Sequence, residues 1–317
     1  MIGELFDPRK EFGKAVTEYA AEHPEVVVLS ADSGKSSGFG DFAERYPERY
    51  FECGIMEQGV VGMAAGLATA GLTPVFCAIA PFVTARPYEM VRNDMGYMHQ
   101  NVKLVGRNCG MTYSDLGATH QSLDDFALMR MIPGMTVLAP QDPEEIRQAV
   151  FAMLWHKGPV YMRIGNPKIP QLFDEAEFKI GEGQVLREGA DVTIISTGSA
   201  TLDAMQAAEL LEREGIHASL LGMPTVWPID EALVRRFAEK PGLVVTVEEH
   251  YVNGGLGSIV CETLADLPGT AVKRLGMPMA YAKTCADYRR LLAAYGLDAD
   301  GIAKSVQAFV TAQKGEA

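Results

Sequence analysis

The chain is short of positive charge, of paired cysteines and of any uninterrupted apolar run, and each shortage excludes something. Its 28 Lys and Arg stand against 41 Asp and Glu, a net charge of −13. Nucleic acids and anionic membranes attract basic surfaces, so neither is expected as the main partner. The five cysteines, Cys53, Cys77, Cys109, Cys261 and Cys285, are scattered, with no CxxC and no Cys/His cluster. Free, mostly buried thiols in a reducing cytoplasm are the expectation. The apolar stretch around residues 55–82 is broken by Glu57, Gln58, Gly71 and Pro74, which rules it out as a membrane span. The opening "MIGELFDPRKEFG" has acidic residues and no apolar core, unlike a signal peptide.

What is present is a chain of 317 residues, 48% apolar and 22% charged, long enough for two ordinary domains with real cores. A helix from about Arg9 to Glu22 precedes the β-rich "VVVLSAD". Strand patterns in "TPVFCAI", "VKLVG", "MTVLAP" and "GPVYMRI" alternate with helical ones in Cys53–Gly71, "YEMVRNDMGYM" and Glu144–Trp155. Short apolar runs bounded by Gly and Pro and separated by helices predict a buried parallel sheet covered on both faces. Around "GNPKIPQLFDEAEFKIGEG" the pattern lapses, and a second alternation starts at "DVTIIST". The fold class is therefore α/β with two parallel-sheet domains, 1–168 and 190–317, joined by a linker at 169–189.

Ligands of open α/β sheets bind beyond the carboxyl ends of the strands. Three segments fall there: "SADSGKSSGFG", "CGIMEQG" and the long loop "GRNCGMTYSDLGATHQS". The second raises a question. Glu57 opens a helix of small and apolar residues, "CGIMEQGVVGMAAGLATAG", with nothing basic nearby in sequence. Burying a carboxylate costs several kcal/mol unless something pairs with it, so this one needs a purpose.

Three segments, "FECGIMEQGVVGMAAGLATAGLTPVF", "GATHQSLDDFALMRMIPGMTVLAPQDPEE" and "GPVYMRI", closely resemble the pyrimidine-binding domain of transketolases. The likeness extends upstream through "SADSGKSS" and downstream through "VVTVEEHYVNGGLGS", so it spans nearly the whole chain. The GDG…N motif with which that family holds magnesium and thiamine diphosphate does not occur. The resemblance therefore implies the C-terminal subunit of a split, thiamine-diphosphate-dependent transketolase, cytoplasmic and active as an α2β2 assembly. The partner, an N-terminal subunit, would hold Mg2+ and the diphosphate. Such an enzyme moves a two-carbon ketol unit from a ketose to an aldose. Three alternatives stay open: a synthase of the deoxyxylulose-phosphate type, a 2-oxo-acid dehydrogenase β subunit, and a non-catalytic assembly partner.

The resemblance also implies roles for single residues. Glu57 corresponds to the glutamate that hydrogen-bonds N1′ of the cofactor's aminopyrimidine and starts its activation, the cofactor supplying the hard chemistry. His120 corresponds to the histidine that hydrogen-bonds the donor carbonyl. Asp32, Ile55 and Phe82 match residues lining the cofactor site. Ile79 stands where an aromatic usually stacks on the pyrimidine, losing roughly 0.5–1.5 kcal/mol of stacking. Arg9 and Ser36 match phosphate contacts, and Asn108 replaces a substrate-facing histidine. Leu116 replaces the aspartate that meets the donor's α-hydroxyl, and Asn166 the arginine that grips the sugar phosphate, with Arg163 and Lys168 close by in sequence. The cofactor residues are kept while the sugar shell is altered. No metal ligand is expected in this chain.

Overall fold

The computed structural model describes residues 4–173, 177–282 and 285–315. Two mainly parallel sheets account for the strand patterns. From edge to edge the first runs Thr225–Trp227, Thr136–Leu138, Val160–Arg163, Lys103–Arg107, Thr73–Ile79, Val26–Ser30 and Tyr50–Glu52. The central pairs are in parallel register, Val28 beside Val75 and Leu104 beside Tyr161. The second sheet runs Ala271–Met277, Leu243–Tyr251, Val192–Ser196, Ala218–Gly222 and Gln184–Arg187. Its central strands are Val-, Ile- and Leu-rich and buried along their length, as strands covered on both faces must be.

Helices start where local chemistry supplies caps. Asp7 accepts a hydrogen bond from the Arg9 N–H at 3.0 Å and is followed by Pro8, opening Pro8–Tyr19. Asp142 does the same for the Glu145 N–H at 2.7 Å, with Pro143 opening Pro143–Trp155. These two helices cover one face of the first sheet through Phe12, Val16, Ile146, Val150 and Met153. The other face takes the helix Glu57–Thr69 and the segment around Val91, with Val60, Val61, Ala64 and Met95 in the core.

Three features differ from the sequence expectation. The helix read from "YEMVRNDMGYM" is a turn, Tyr88–Met90, running into the π-helix Val91–Tyr97. The stretch 169–189 carries two short strands: Ile169–Pro170 pairs with Leu5–Phe6, and Gln184–Arg187 edges the second sheet in antiparallel sense. Thr225–Trp227, from the second half of the chain, pairs antiparallel with Thr136–Leu138 in the first sheet. The core is continuous in consequence, joining Phe76 and Val137 to Ile195, Leu221, Val226 and Ile259.

One buried carboxyl makes stability depend on pH. Glu248 accepts hydrogen bonds from the Leu256 and Gly257 N–H groups at 2.7 and 2.8 Å, in the first turn of Leu256–Thr263. Burial outweighs these donors and pushes its pKa from the ordinary 4.5 to about 7. The folded state then holds a proton that the unfolded state has released, so this contribution is complete below pH 4.5 and is lost as pH rises through 7. Thermal unfolding of wild type and Glu248→Gln between about pH 5 and 8 should show wild type losing ground to the variant as pH rises. Parallel curves would refute the assignment.

Candidate active site

The strand ends of the first sheet bring the expected segments to one edge. After Val26–Ser30 the chain turns at Asp32, whose φ is 57°, and its N–H donates to Glu52 Oε1 at 2.7 Å. Glu52 also accepts from the Gly54 N–H at 3.1 Å and the Tyr50 hydroxyl at 3.2 Å. Burial would raise the pKa of Glu52, but these donors together with Ser30 hold it below the ordinary value. Residues Asp32, Ser33, Gly34, Lys35 and Ser36, with Tyr50 and Glu52, line an open groove of about 470 Å³.

Glu57 is the first residue of its helix and is 4% exposed. Its partner comes from the next strand–loop unit: Arg86 Nη1 lies 2.5 Å from Glu57 Oε1. The same guanidinium sits over the Phe82 ring, 3.8 Å from its centroid. Phe82 meets His120 edge to face at 5.3 Å, and His120 meets Tyr113 likewise at 5.6 Å. His120 Nδ1 is hydrogen-bonded to Thr119 Oγ1 at 2.9 Å, which leaves Nε2 for a ligand. Three residues singled out in the sequence, Glu57, Phe82 and His120, thus form one contiguous row. Arg86, which sequence reasoning missed, joins them. The structure also answers the question of what pairs with Glu57.

A second cluster forms around another overlooked residue. Arg107 ends the strand Lys103–Arg107 and is 4% exposed. It donates to Ser36 Oγ at 2.9 Å, Ser37 Oγ at 3.0 Å and Asn108 Oδ1 at 2.9 Å. Among the described residues no carboxylate pairs with it. Asn108, 1% exposed and in the left-handed region at φ 56°, has its Nδ2 buried without an acceptor. A buried cation without an anion, beside an unused buried donor, costs several kcal/mol unless an anion arrives.

Among the remaining predicted residues, Ile79 is the strand partner of Arg107 and borders the second cluster. Arg9 is hydrogen-bonded at two points to Asp7, 2.8 and 3.0 Å, which raises the pKa of Arg9. Ile79 is half-buried at the end of its strand, Ile55 is 75% exposed, and Leu116 is exposed just before the turn Gly117–Thr119. Asn166 is half-buried past the strand Val160–Arg163. Arg163 is turned inward, 3.5 Å from Asp125 and 4.3 Å from the centroid of Phe126, so it serves the core. Lys168 lines a cavity of about 450 Å³ between the two domains, with Leu202, Gln206 and Arg289. Among the described residues no group of three or more His, Cys, Asp or Glu is placed to hold a metal ion, and no helix is long and apolar enough to cross a membrane.

Residues 6–171 match the family model of the transketolase pyrimidine-binding domain, and residues 181–302 that of the transketolase C-terminal domain. The chain belongs to the transketolase family. Over 312 residues it is 38% identical to one subunit of the apulose-4-phosphate transketolase of Phocaeicola vulgatus, covering 98% of this chain and 99% of that one. It is 37% identical to the 6-deoxy-6-sulfo-D-fructose transketolase subunit SqwH of a Clostridium species, covering 94% and 92%. Among solved structures, one described as a split gene transketolase, an inactive β4 tetramer, superimposes with a TM-score of 0.90 at 40% identity over 96% of this chain and 99% of that one. Transketolases depend on thiamine diphosphate, and the first sheet carries the domain that receives its pyrimidine. The residues present fit such a ring. The flat, donor-bearing guanidinium of Arg86 already takes up the two contacts it would need, one to the Glu57 carboxylate and one to the face of Phe82.

Proposed function

We propose that this chain is the C-terminal subunit of a split, thiamine-diphosphate-dependent transketolase that acts on sugars with an anionic far end. The reading rests chiefly on end-to-end similarity to single subunits of two-chain transketolases, together with the buried Glu57 in a row with Phe82 and His120. An N-terminal subunit with the diphosphate and Mg2+ ligands would complete the site, in an α2β2 assembly. Exposed apolar residues support such a partner: Ile55, Met56 and Met63 border Glu57 and its helix, and Tyr97 and Met98, the former 84% exposed, border the adjoining π-helix. Apolar surface grouped in this way marks an interaction face.

When bound, the cofactor supplies the carbon nucleophile that carries the ketol unit. In this mechanism Glu57 hydrogen-bonds the pyrimidine and moves the proton at N1′. Arg86 gives up the Glu57 carboxylate when the ring arrives. Phe82 and Ile79 pack against the ring and exclude water. His120 Nε2 donates to the carbonyl oxygen of the donor sugar. At the far end, Arg107 and Asn108 Nδ2 receive an oxyanion, taking over from the arginine that Asn166 replaces, while Ser36, which donates to the Ser33 carbonyl, holds the guanidinium. The names of both relatives carry such a group, a phosphate in one and a sulfo group in the other. Leu116 removes a contact to the α-hydroxyl, so the donor differs there from an ordinary ketose phosphate.

Calorimetry on the isolated chain tests the division of labour. Thiamine diphosphate with Mg2+ should give no measurable heat until the N-terminal subunit is added. Tight magnesium-dependent binding by this chain alone would refute the shared site.

A further inference from the structure

We propose that Glu249, on the second domain, is a positioning residue for the turn 107–112 that presents Arg107 and Asn108. The inference rests on the reading that this turn meets the substrate's anionic end. Glu249 lies near the end of Leu243–Tyr251 and is 3% exposed. Its Oε1 accepts the Met111 N–H at 2.5 Å. Its Oε2 accepts the Ser199 and Tyr288 hydroxyls, each at 2.8 Å. Ser199 stands at the head of Ala200–Arg213, and Tyr288 opens Tyr288–Ala294. The carboxylate is therefore fixed by its own domain and reaches across to the backbone of the other.

That turn needs an external hold. Asn108 and Gly110 both lie in the left-handed region, at φ 56° and 59°, and the non-glycine residue pays for that conformation. Gly110 lets the acid approach: a Cβ there would stand 2.5 Å from Glu249 Oε1. Gly110 also exchanges two backbone hydrogen bonds of 2.9 Å with Ser122, two residues past His120. One carboxylate thus underlies both the residue that faces the anion and the segment that carries the histidine. Burial raises the pKa of Glu249, opposed by Arg163 and by its hydroxyl and N–H donors.

The test uses the assembled enzyme and a phosphorylated ketose. Glu249→Ala should raise the sugar KM about tenfold or more, as loss of orientation does. Exchange of the cofactor's C2 proton, which reads the Glu57 side of the site, should stay at the wild-type rate. Glu249→Gln keeps an acceptor for Met111 and should recover most of the loss. Should Glu249→Ala fail to fold, Ser199→Ala with Tyr288→Phe frees the carboxylate and should shift KM in the same direction. An unchanged KM with a lowered melting temperature would overturn the proposal, as would a loss of sugar affinity and of proton exchange together. Arg107→Gln in the same assay separates the two ideas. A KM raised by Arg107→Gln but not by Glu249→Ala overturns the positioning role. The reverse pattern overturns the anion subsite, and the positioning role falls with it.

Discussion

Glu57→Gln in the assembled enzyme is expected to lower turnover by about two orders of magnitude or more, the range for removing a key proton-transfer group. Glutamine is nearly the same shape and can still bond Arg86, so unfolding should not explain the loss. It cannot move a proton at N1′. Exchange of the C2 proton of bound cofactor, followed by NMR after quenching, should slow in parallel with turnover. Near-normal exchange would return Glu57 to the status of a first-turn helix acid paired with Arg86.

The second large effect is expected at Arg107. Hydrogen bonds to charged groups contribute about 1.5–3 kcal/mol, and every ~1.4 kcal/mol is tenfold in affinity. Arg107→Gln should therefore raise KM for a phosphorylated sugar about 10- to 100-fold. KM for the same sugar without its phosphate should hardly change, because the missing interaction belongs to the anion alone. The variant also removes a buried cation that no carboxylate balances among the described residues, so the unliganded protein should melt no lower than wild type. Equal losses on both sugars would refute the assignment and place the anion elsewhere, with Lys168 the next cation to examine.

Much of this was legible in the sequence, for a physical reason. Strand and helix patterns are local, and the small residues of Glu57–Thr69 and the Val-rich run at Val26–Ser30 declare themselves within one window. The resemblance drew Glu57, Phe82 and His120 together by order along the chain. Pairing across the fold was not legible. Arg86 meets Glu57 from 29 residues away, and "VTAR" reads only as the end of a helical turn. Arg107 reads as part of the loop "GRNCGMTYSDLGATHQS", and nothing local shows that the strand runs on to it and delivers a cation to the ligand edge. Glu249 sits in "VVTVEE", which announces a buried strand but not what its final acids touch. Arg163 is close to Asn166 in sequence but faces Asp125, because strand residues alternate in direction and this one points inward, which the sequence alone does not tell.

The strand Thr225–Trp227 has a consequence for how the protein is made. It covers the Thr136–Leu138 edge, and the Ala139 N–H bonds Pro224 O at 2.7 Å beside it. On the ribosome the first sheet emerges with that edge bare and must wait for residues 225–227 before it closes. An uncovered strand edge is a template for pairing with another chain, so the nascent protein is most exposed to misassembly during this interval. A fragment ending near residue 171 would stay in that condition permanently. It should be recovered as aggregate even though it contains an entire family domain, whereas the two halves made together should rescue each other by restoring the missing strand.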